Sequence, residues 1–339
     1  MLLKGAIFIA AAALMSWLLA SRVRLYALDK LVDIPNERSS HSSPTPRGGG
    51  LAIVITVLGG VIVAGIMRWI PLDLTLALAG GGTMIATVGW IDDHRDVAAR
   101  IRFAVQVAAA VWAMYWLHGM PRLSVGVAGV ELGFVGTILG LLGILWAINL
   151  YNFIDGIDGL AAGEAVTTGT IAGLMLAAMG HPGLALISLL IAAANLGFLP
   201  LNWAPAKLFM GDVGSGTLGY LFAVLSIASE NARAVPVLIW VLLLGAFVFD
   251  ATVTLFRRIG NGERWYQAHH SHAYQRMVQA GRSHAQVSSM ILGVNLVLAV
   301  LAIVAWLLPS FFLIAIAAGT ILLAALYLSV ERIRPMHAH

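Results

Sequence analysis

The sequence predicts an all-α integral membrane protein of about eleven transmembrane helices, with its polar residues gathered at one face. Three observations carry this. Hydrophobic residues make up 60% of the 339 positions and charged residues only 11%, where an ordinary soluble domain carries about 25% charged. Mean hydropathy is +0.90. The apolar residues fall into runs of roughly 16–22, each near the length that crosses a bilayer as a helix.

In chain order the runs lie at roughly 4–21, 50–67, 74–91, 101–117, 135–152, 159–179, 183–200, 214–230, 235–256, 288–308 and 310–330. Lys4 precedes the first, which could pass for a signal-peptide core. No clear A-x-A site follows before the next polar stretch, so the run is read as retained. Between the fourth and fifth runs, HGMPRLSVGVAGVELGF has Gly/Pro punctuation and short β-like runs. A small outer hairpin is expected there, near 121–132. No internal repeat or low-complexity tract divides the chain, so 1–339 is read as a single polytopic domain. Cys is absent, which excludes disulfides and thiolate chemistry.

Orientation follows from the loops between the runs. Alternate loops hold sixteen of the 20 basic residues on one side and four (Lys4, Arg68, Arg122 and Arg233) on the other. The excess marks the cytoplasmic side, which places the N-terminus outside and the C-terminus inside. A sequence pI near 9.6 then needs no nucleic acid as partner. It suits anionic membrane lipid and an anionic substrate. Most acids and the His-rich loop fall on the same side, so the chemistry is expected at the cytoplasmic face and not at the midplane.

Four motifs stand out there. In NLYNFIDGIDGL, Asn149, Asn152, Asp155 and Asp158 recur at spacing three, close to one helical face. A helix cap would need one such residue, and four indicate a site. In GWIDDHRD, Asp92 and Asp93 are adjacent carboxylates, which persist best beside a cation. Hard oxygen donors of this kind suit Mg²⁺ or Mn²⁺. In KLFMGDVGSG, a Gly-rich entry to a helix carries Gly211 and Asp212, with Lys207 as counter-charge. Such an entry can cradle phosphate, and the Asp suggests a bridging metal. In RRIGNGERWYQAHHSHAYQR, His269, His270 and His272 sit among arginines, and Trp265 and Tyr266 could stack on a base. With no Cys and no zinc-like spacing, the loop is read as binding a diphosphate or nucleotide. Arg38, His41 and Arg47, in DIPNERSSHSSPTPRGGG, suit an anionic lipid or nucleotide and equally a positive-inside signal. Asp250 and Glu164, within apolar runs, are functional candidates by default or partners of a neighbouring base.

The ordered set Asp92-Asp93, NFIDGIDGL, FMGDVGS and HHSH resembles the polyprenyl-phosphate N-acetylhexosamine-1-phosphate transferases, from about residue 33 to about 276. That family includes the phospho-MurNAc-pentapeptide translocase and the enzymes that start O-antigen and enterobacterial common antigen. The resemblance implies transfer of a sugar 1-phosphate from a UDP-N-acetylhexosamine to undecaprenyl phosphate, with Mg²⁺ and release of UMP, in a bacterial plasma membrane. It implies that Asp92 and Asp93 handle the acceptor phosphate, with Asp92 as base. Asp212, with Asn152 and Asp92, would ligate the metal. Asn152, Asp155 and Asp158 would hold the nucleotide or diphosphate, flanked by Asn149, Arg47, Lys207 and Gly211. His269, His270 and His272 would contact the diphosphate-sugar. A homodimer is compatible with the resemblance. Two departures point away from the translocase and toward the O-antigen or common-antigen branch. The chain reads DDHRD where the translocases carry a Lys, and HHSH followed by AYQR where they carry consecutive histidines. The donor is then UDP-GlcNAc or a UDP-N-acetyl-6-deoxyhexosamine.

Rival readings fail on particular residues. The CDP-alcohol phosphotransferase signature matches from Asp155 to Ala162 and then breaks at Gly163, Ala172, Leu176 and Gly180. An intramembrane aspartyl protease wants G-x-G-D, and the chain has Phe209-Met210-Gly211-Asp212. A secondary transporter or flippase places polar sites near the midplane in repeated halves, and neither feature is visible.

Overall fold

The computed structural model describes residues 2–33, 44–263 and 269–336. Arg38, His41, Trp265 and Tyr266 lie outside them. Thirteen α-helices and two short hairpins follow in order: α1 (Leu2–Lys30), β1 (Val32–Asp33), β2 (Thr45–Pro46), α2 (Gly50–Ile66), α3 (Leu72–His94) and α4 (Ala99–Trp116). Then come β3 (Arg122–Val125), β4 (Ala128–Glu131), α5 (Phe134–Ile154), α6 (Leu160–Ala178), α7 (Pro182–Asn202), α8 (Asp212–Asn231) and α9 (Val237–Leu243). The chain ends with α10 (Gly245–Gly260), α11 (Ala273–Gln279), α12 (His284–Leu307) and α13 (Phe312–Ile333).

Each of the eleven apolar runs is helical, but they do not make eleven equal spans. Among the described residues eight helices are long and apolar enough to cross a membrane, and nine if the bent pair α9–α10 counts as one. Three runs account for the difference. Helix α2 has only 17 residues. Helix α4 begins with Arg100 and Arg102 and carries Gln106, which lower its hydropathy. Helices α9 and α10 meet at 83° because the backbone leaves helical geometry at Leu244 (φ −87°, ψ 14°). Leu243 and Leu244 are as apolar as their neighbours, so a hydropathy window reads straight through the break.

Helix α8 is the centre of the bundle. Its membrane window is 94% buried, against 17% for α1 on the periphery. It packs on α2, α3 and α5. Close approach is possible because Gly89 of α3 has no side chain: a Cβ there would lie 2.7 Å from the backbone of Asp212. One end of the bundle therefore gathers the C-terminus of α3 and the N-terminus of α8. The expected hairpin forms as β3 and β4, paired antiparallel with Arg122 opposite Glu131. It is tied to the far end of α8 by buried Glu230, whose carboxylate accepts from Ser124 N (2.7 Å) and Val237 N (2.7 Å). Each bond satisfies a backbone donor that water cannot reach.

Candidate active site

At the other end of α8 the polar residues converge. Asp93 is buried, and its two carboxylate oxygens accept from Asp212 N (3.0 Å) and Val213 N (3.2 Å). These are free N–H groups of the first turn of α8, so Asp93 caps that helix from a different helix. Gly211 makes this possible. Its φ of 77° belongs to glycine, and a Cβ there would stand 2.7 Å from both Asp93 oxygens. Arg47 donates from Nη2 to Asp93 O at 2.7 Å, so the segment before α2 is fixed to the same corner.

Asp92, one residue earlier, turns elsewhere. Its Oδ1 accepts from Val97 N (2.7 Å) and its Oδ2 from Arg102 Nη1 (2.5 Å). The same Arg102 nitrogen lies 3.5 Å from Asp212 Oδ2. The guanidinium thus bridges two carboxylates that meet from α3 and α8. Asn152, near the end of α5, donates from Nδ2 to Asp212 Oδ1 (2.9 Å) and Ser215 Oγ (3.0 Å). One connected cluster results: Asp92, Arg102, Asp212, Asn152 and Ser215. Sequence reasoning missed Arg102 and Ser215. Arg102 reads as one more positive-inside residue, and only its place at the start of α4, after the acids, signals otherwise.

The other candidates divide. Asp155 is partly buried just beyond α5, and among the described residues its carboxylate accepts no hydrogen bond. Burial pushes its carboxyl well above the usual range, and the nearby carboxylates of Asp212, Asp93 and Asp158 add to this. Asp158 is committed to the fold: Oδ2 accepts from Ala206 N (3.0 Å) and Oδ1 lies 3.1 Å from His284 Nδ1 of α12. It fixes the turn that carries exposed Lys207. Asn149 faces away from the acids, donating to Gln106 Oε1 at 2.9 Å.

The histidine loop docks on the end of α5. His272 is buried and stacks on Phe153, with ring centroids 6.2 Å apart. Its Nδ1 is 3.5 Å from Asp250 Oδ1, within ion-pair range but without a hydrogen bond. Asp250 in turn caps α11, accepting from Ala273 N (2.9 Å) and Tyr274 N (3.2 Å). His272 and Asp250 therefore hold the loop in place. His269 stacks on His272 at 4.7 Å, and His270 lies beside it. Burial first, then His272 and Arg258, push the His269 imidazole down to about 3. Its Nδ1 accepts from Ser271 N at 3.3 Å, which leaves the proton of the neutral ring on Nε2.

Mg²⁺ usually takes one or two protein carboxylates and completes its octahedron with water and substrate phosphate. Asp212 and Asp92, with Oδ1 of Asn152, fit that demand as oxygen donors. Among the described residues no three His, Asp or Glu side chains form a ready-made metal cage. The arrangement is that of a site completed by phosphate oxygens.

Comparison with known proteins agrees with this chemistry. Residues 75–230 match glycosyl transferase family 4. The chain is 34% identical over 277 residues to a probable undecaprenyl-phosphate N-acetylglucosaminyl 1-phosphate transferase of Bacillus subtilis (strain 168), covering 80% of this chain and 76% of that protein. It is 32% identical over 308 residues to a decaprenyl-phosphate N-acetylglucosaminephosphotransferase of Mycobacterium tuberculosis (strain ATCC 25618 / H37Rv), covering 81% and 76%. It is 27% identical over 274 residues to an undecaprenyl-phosphate alpha-N-acetylglucosaminyl 1-phosphate transferase of Escherichia coli (strain K12), covering 77% and 72%. With a third of its residues shared over most of both chains, and with acids and amide clustered where a phosphate–metal site needs them, the protein belongs to glycosyl transferase family 4, among the polyprenyl-phosphate sugar-1-phosphate transferases.

Proposed function

We propose that the protein transfers GlcNAc 1-phosphate from UDP-GlcNAc to undecaprenyl phosphate, with Mg²⁺, at the cytoplasmic face of a bacterial plasma membrane. The product would start a lipid-linked surface glycan such as O-antigen. The observation that carries this reading is the Asp92–Arg102–Asp212–Asn152 cluster at one end of the bundle, where a lipid-borne phosphate and a soluble nucleotide can meet. The N-acetylglucosaminyl relatives support the donor.

Overall, an acceptor phosphate oxygen forms a new bond to the sugar-bearing phosphorus of UDP-GlcNAc. The bond from that phosphorus to UMP breaks, and UMP leaves with the electron pair. Phosphoryl transfer of this kind needs positioning and charge neutralisation more than covalent help. Asp92 orients the acceptor and takes its proton where it has one. Arg102 faces the phosphates being joined. Bound between Asp212, Asp92 and the amide oxygen of Asn152, Mg²⁺ supplies charge neutralisation of the diphosphate. Asp155 and Lys207 flank the nucleotide, and Asp158 acts by positioning the turn that bears Lys207. His269, through Nε2–H, and His270 donate to the diphosphate-sugar, while His272 holds them there.

The test is UMP release by purified protein in detergent, with undecaprenyl phosphate, a panel of UDP-N-acetylhexosamines including a 6-deoxy donor, and Mg²⁺ or EDTA. The expected result is release that requires lipid and metal and is fastest with UDP-GlcNAc. Release with the 6-deoxy sugar alone would overturn the donor. No release with any donor from folded protein would overturn the reaction.

A further inference from the structure

A second feature lies outside the reaction cluster. Helices α10, α11, α12 and α13 enclose a half-open cleft of about 740 Å³. Its walls are apolar, with Phe249, Met277, Ile291 and Leu326 among them, and Tyr327 closes one side. Against Tyr327 stand two guanidinium groups. Arg257 lies 5.8 Å from the ring centroid and Arg276 5.0 Å. Both pair with one carboxylate: Arg257 donates to Glu331 at 2.5 and 2.9 Å, and Arg276 donates to Glu331 at 2.6 Å. One positive charge is left over, and Arg332 and Arg334 add to it at the same end of α13. Arg276 is only 2% exposed, yet its Nε and Nη2 have no hydrogen-bond partner among the described residues. A buried guanidinium with unpaired N–H groups is costly and calls for an acceptor. Asp250 also lines the cleft, but its oxygens are engaged by Ala273 N, Tyr274 N and Thr254 Oγ1.

We propose that this cleft holds one anionic glycerophospholipid of the bilayer, an acyl chain between α10 and α12 and its phosphate on Arg257 and Arg276. The pairing of surplus positive charge with an adjoining apolar slot is what recognises such a lipid. Free phosphate would leave the apolar walls uncovered. The volume is that of a site for a single small ligand, too small for a long polyprenyl tail. The inference does not depend on the transfer reaction, because it is tested by binding.

Delipidated protein would be titrated with dioleoyl-phosphatidylglycerol or dioleoyl-phosphatidylcholine and read by native mass spectrometry. Inorganic phosphate and undecaprenyl phosphate would serve as competitors. One phosphatidylglycerol should bind at least tenfold more tightly than phosphatidylcholine. Arg257→Gln should remove that preference. Ser329→Trp, at an exposed lining position, should weaken both lipids while leaving the fold intact by circular dichroism. Equal binding of the two lipids by the unaltered protein would overturn the proposal. So would phosphatidylglycerol binding unchanged by Ser329→Trp, or one-for-one displacement by undecaprenyl phosphate or by inorganic phosphate alone.

Discussion

Two adjacent carboxylates at the end of α3 serve different ends. Asp93 accepts two backbone N–H groups of α8, whereas Asp92 meets Arg102 and, through it, Asp212. Substitution should separate them. Asp92→Asn and Asp212→Asn should slow UMP release at least about a hundredfold, the scale of losing a base or charge contact, with little change in thermal midpoint. Asp93→Ala removes a cap worth about 1–2 kcal/mol and should lower the midpoint clearly. An unchanged midpoint in Asp93→Ala would return that residue to direct chemistry. His269 gives a pH dependence with a fixed sign. Its folded-state value is near 3, well below the about 6.5 of a free imidazole, so the native ring refuses a proton that the unfolded chain accepts. The loop's stability is fully present above about pH 6.5 and declines as pH falls toward 3. Hydrogen exchange over 269–279 should quicken across that window in the native protein. In His269→Gln the same peptide should show no such trend, and an identical trend would assign the effect to another group.

Helix junctions, not helix interiors, set the geometry of the site. The entry to α8 needs Gly211, held at φ 77° and ψ 170°, a region that side chains enter at a cost of about 1–3 kcal/mol. Gly211→Ala adds that strain to a collision with both Asp93 oxygens, so the cap should open and Asp212 should shift. Thermal midpoint and UMP release should fall together. Gly143→Ala is the matched control. It lies within α5, where an added Cβ meets nothing within 4 Å, and it should be neutral or slightly stabilising. If Gly211→Ala keeps full activity, the cap is not what positions Asp212. At this scale the sequence is readable wherever hydropathy alone decides. The apolar runs and the Gly/Pro-marked hairpin appear where expected. The α9–α10 break is not readable, because Leu243, Leu244 and Gly245 interrupt nothing in composition. Within the site, Asp92, Asn152 and Asp212 are readable because polar residues in an apolar chain are conspicuous. The capping role of Asp93 is not, because its partner is 119 residues away and only packing joins them.

For the whole molecule, the two ends of α8 define two faces, one with the acid cluster and one with the hairpin held by Glu230. The sixteen-to-four division of basic residues assigns the first to the cytoplasm, since translocating Lys and Arg is disfavoured near span ends. The assignment matters chemically, because nucleotide sugars are made inside the cell and a site on the other face would have no donor. Absence of cysteine makes this directly measurable: any cysteine introduced is the sole thiol. Val127, 83% exposed at the hairpin tip, and Lys207, exposed beside the acid cluster, report on opposite faces. In intact spheroplasts a membrane-impermeant maleimide should label Val127→Cys at once. It should label Lys207→Cys only after permeabilisation, and UDP-GlcNAc with Mg²⁺ should then slow that labelling. The reverse pattern would invert the protein and remove its supply of donor. Labelling of both sites in intact spheroplasts would mean that Lys207 faces a water-filled path across the membrane, and a transport function would then account for the acids better than transfer.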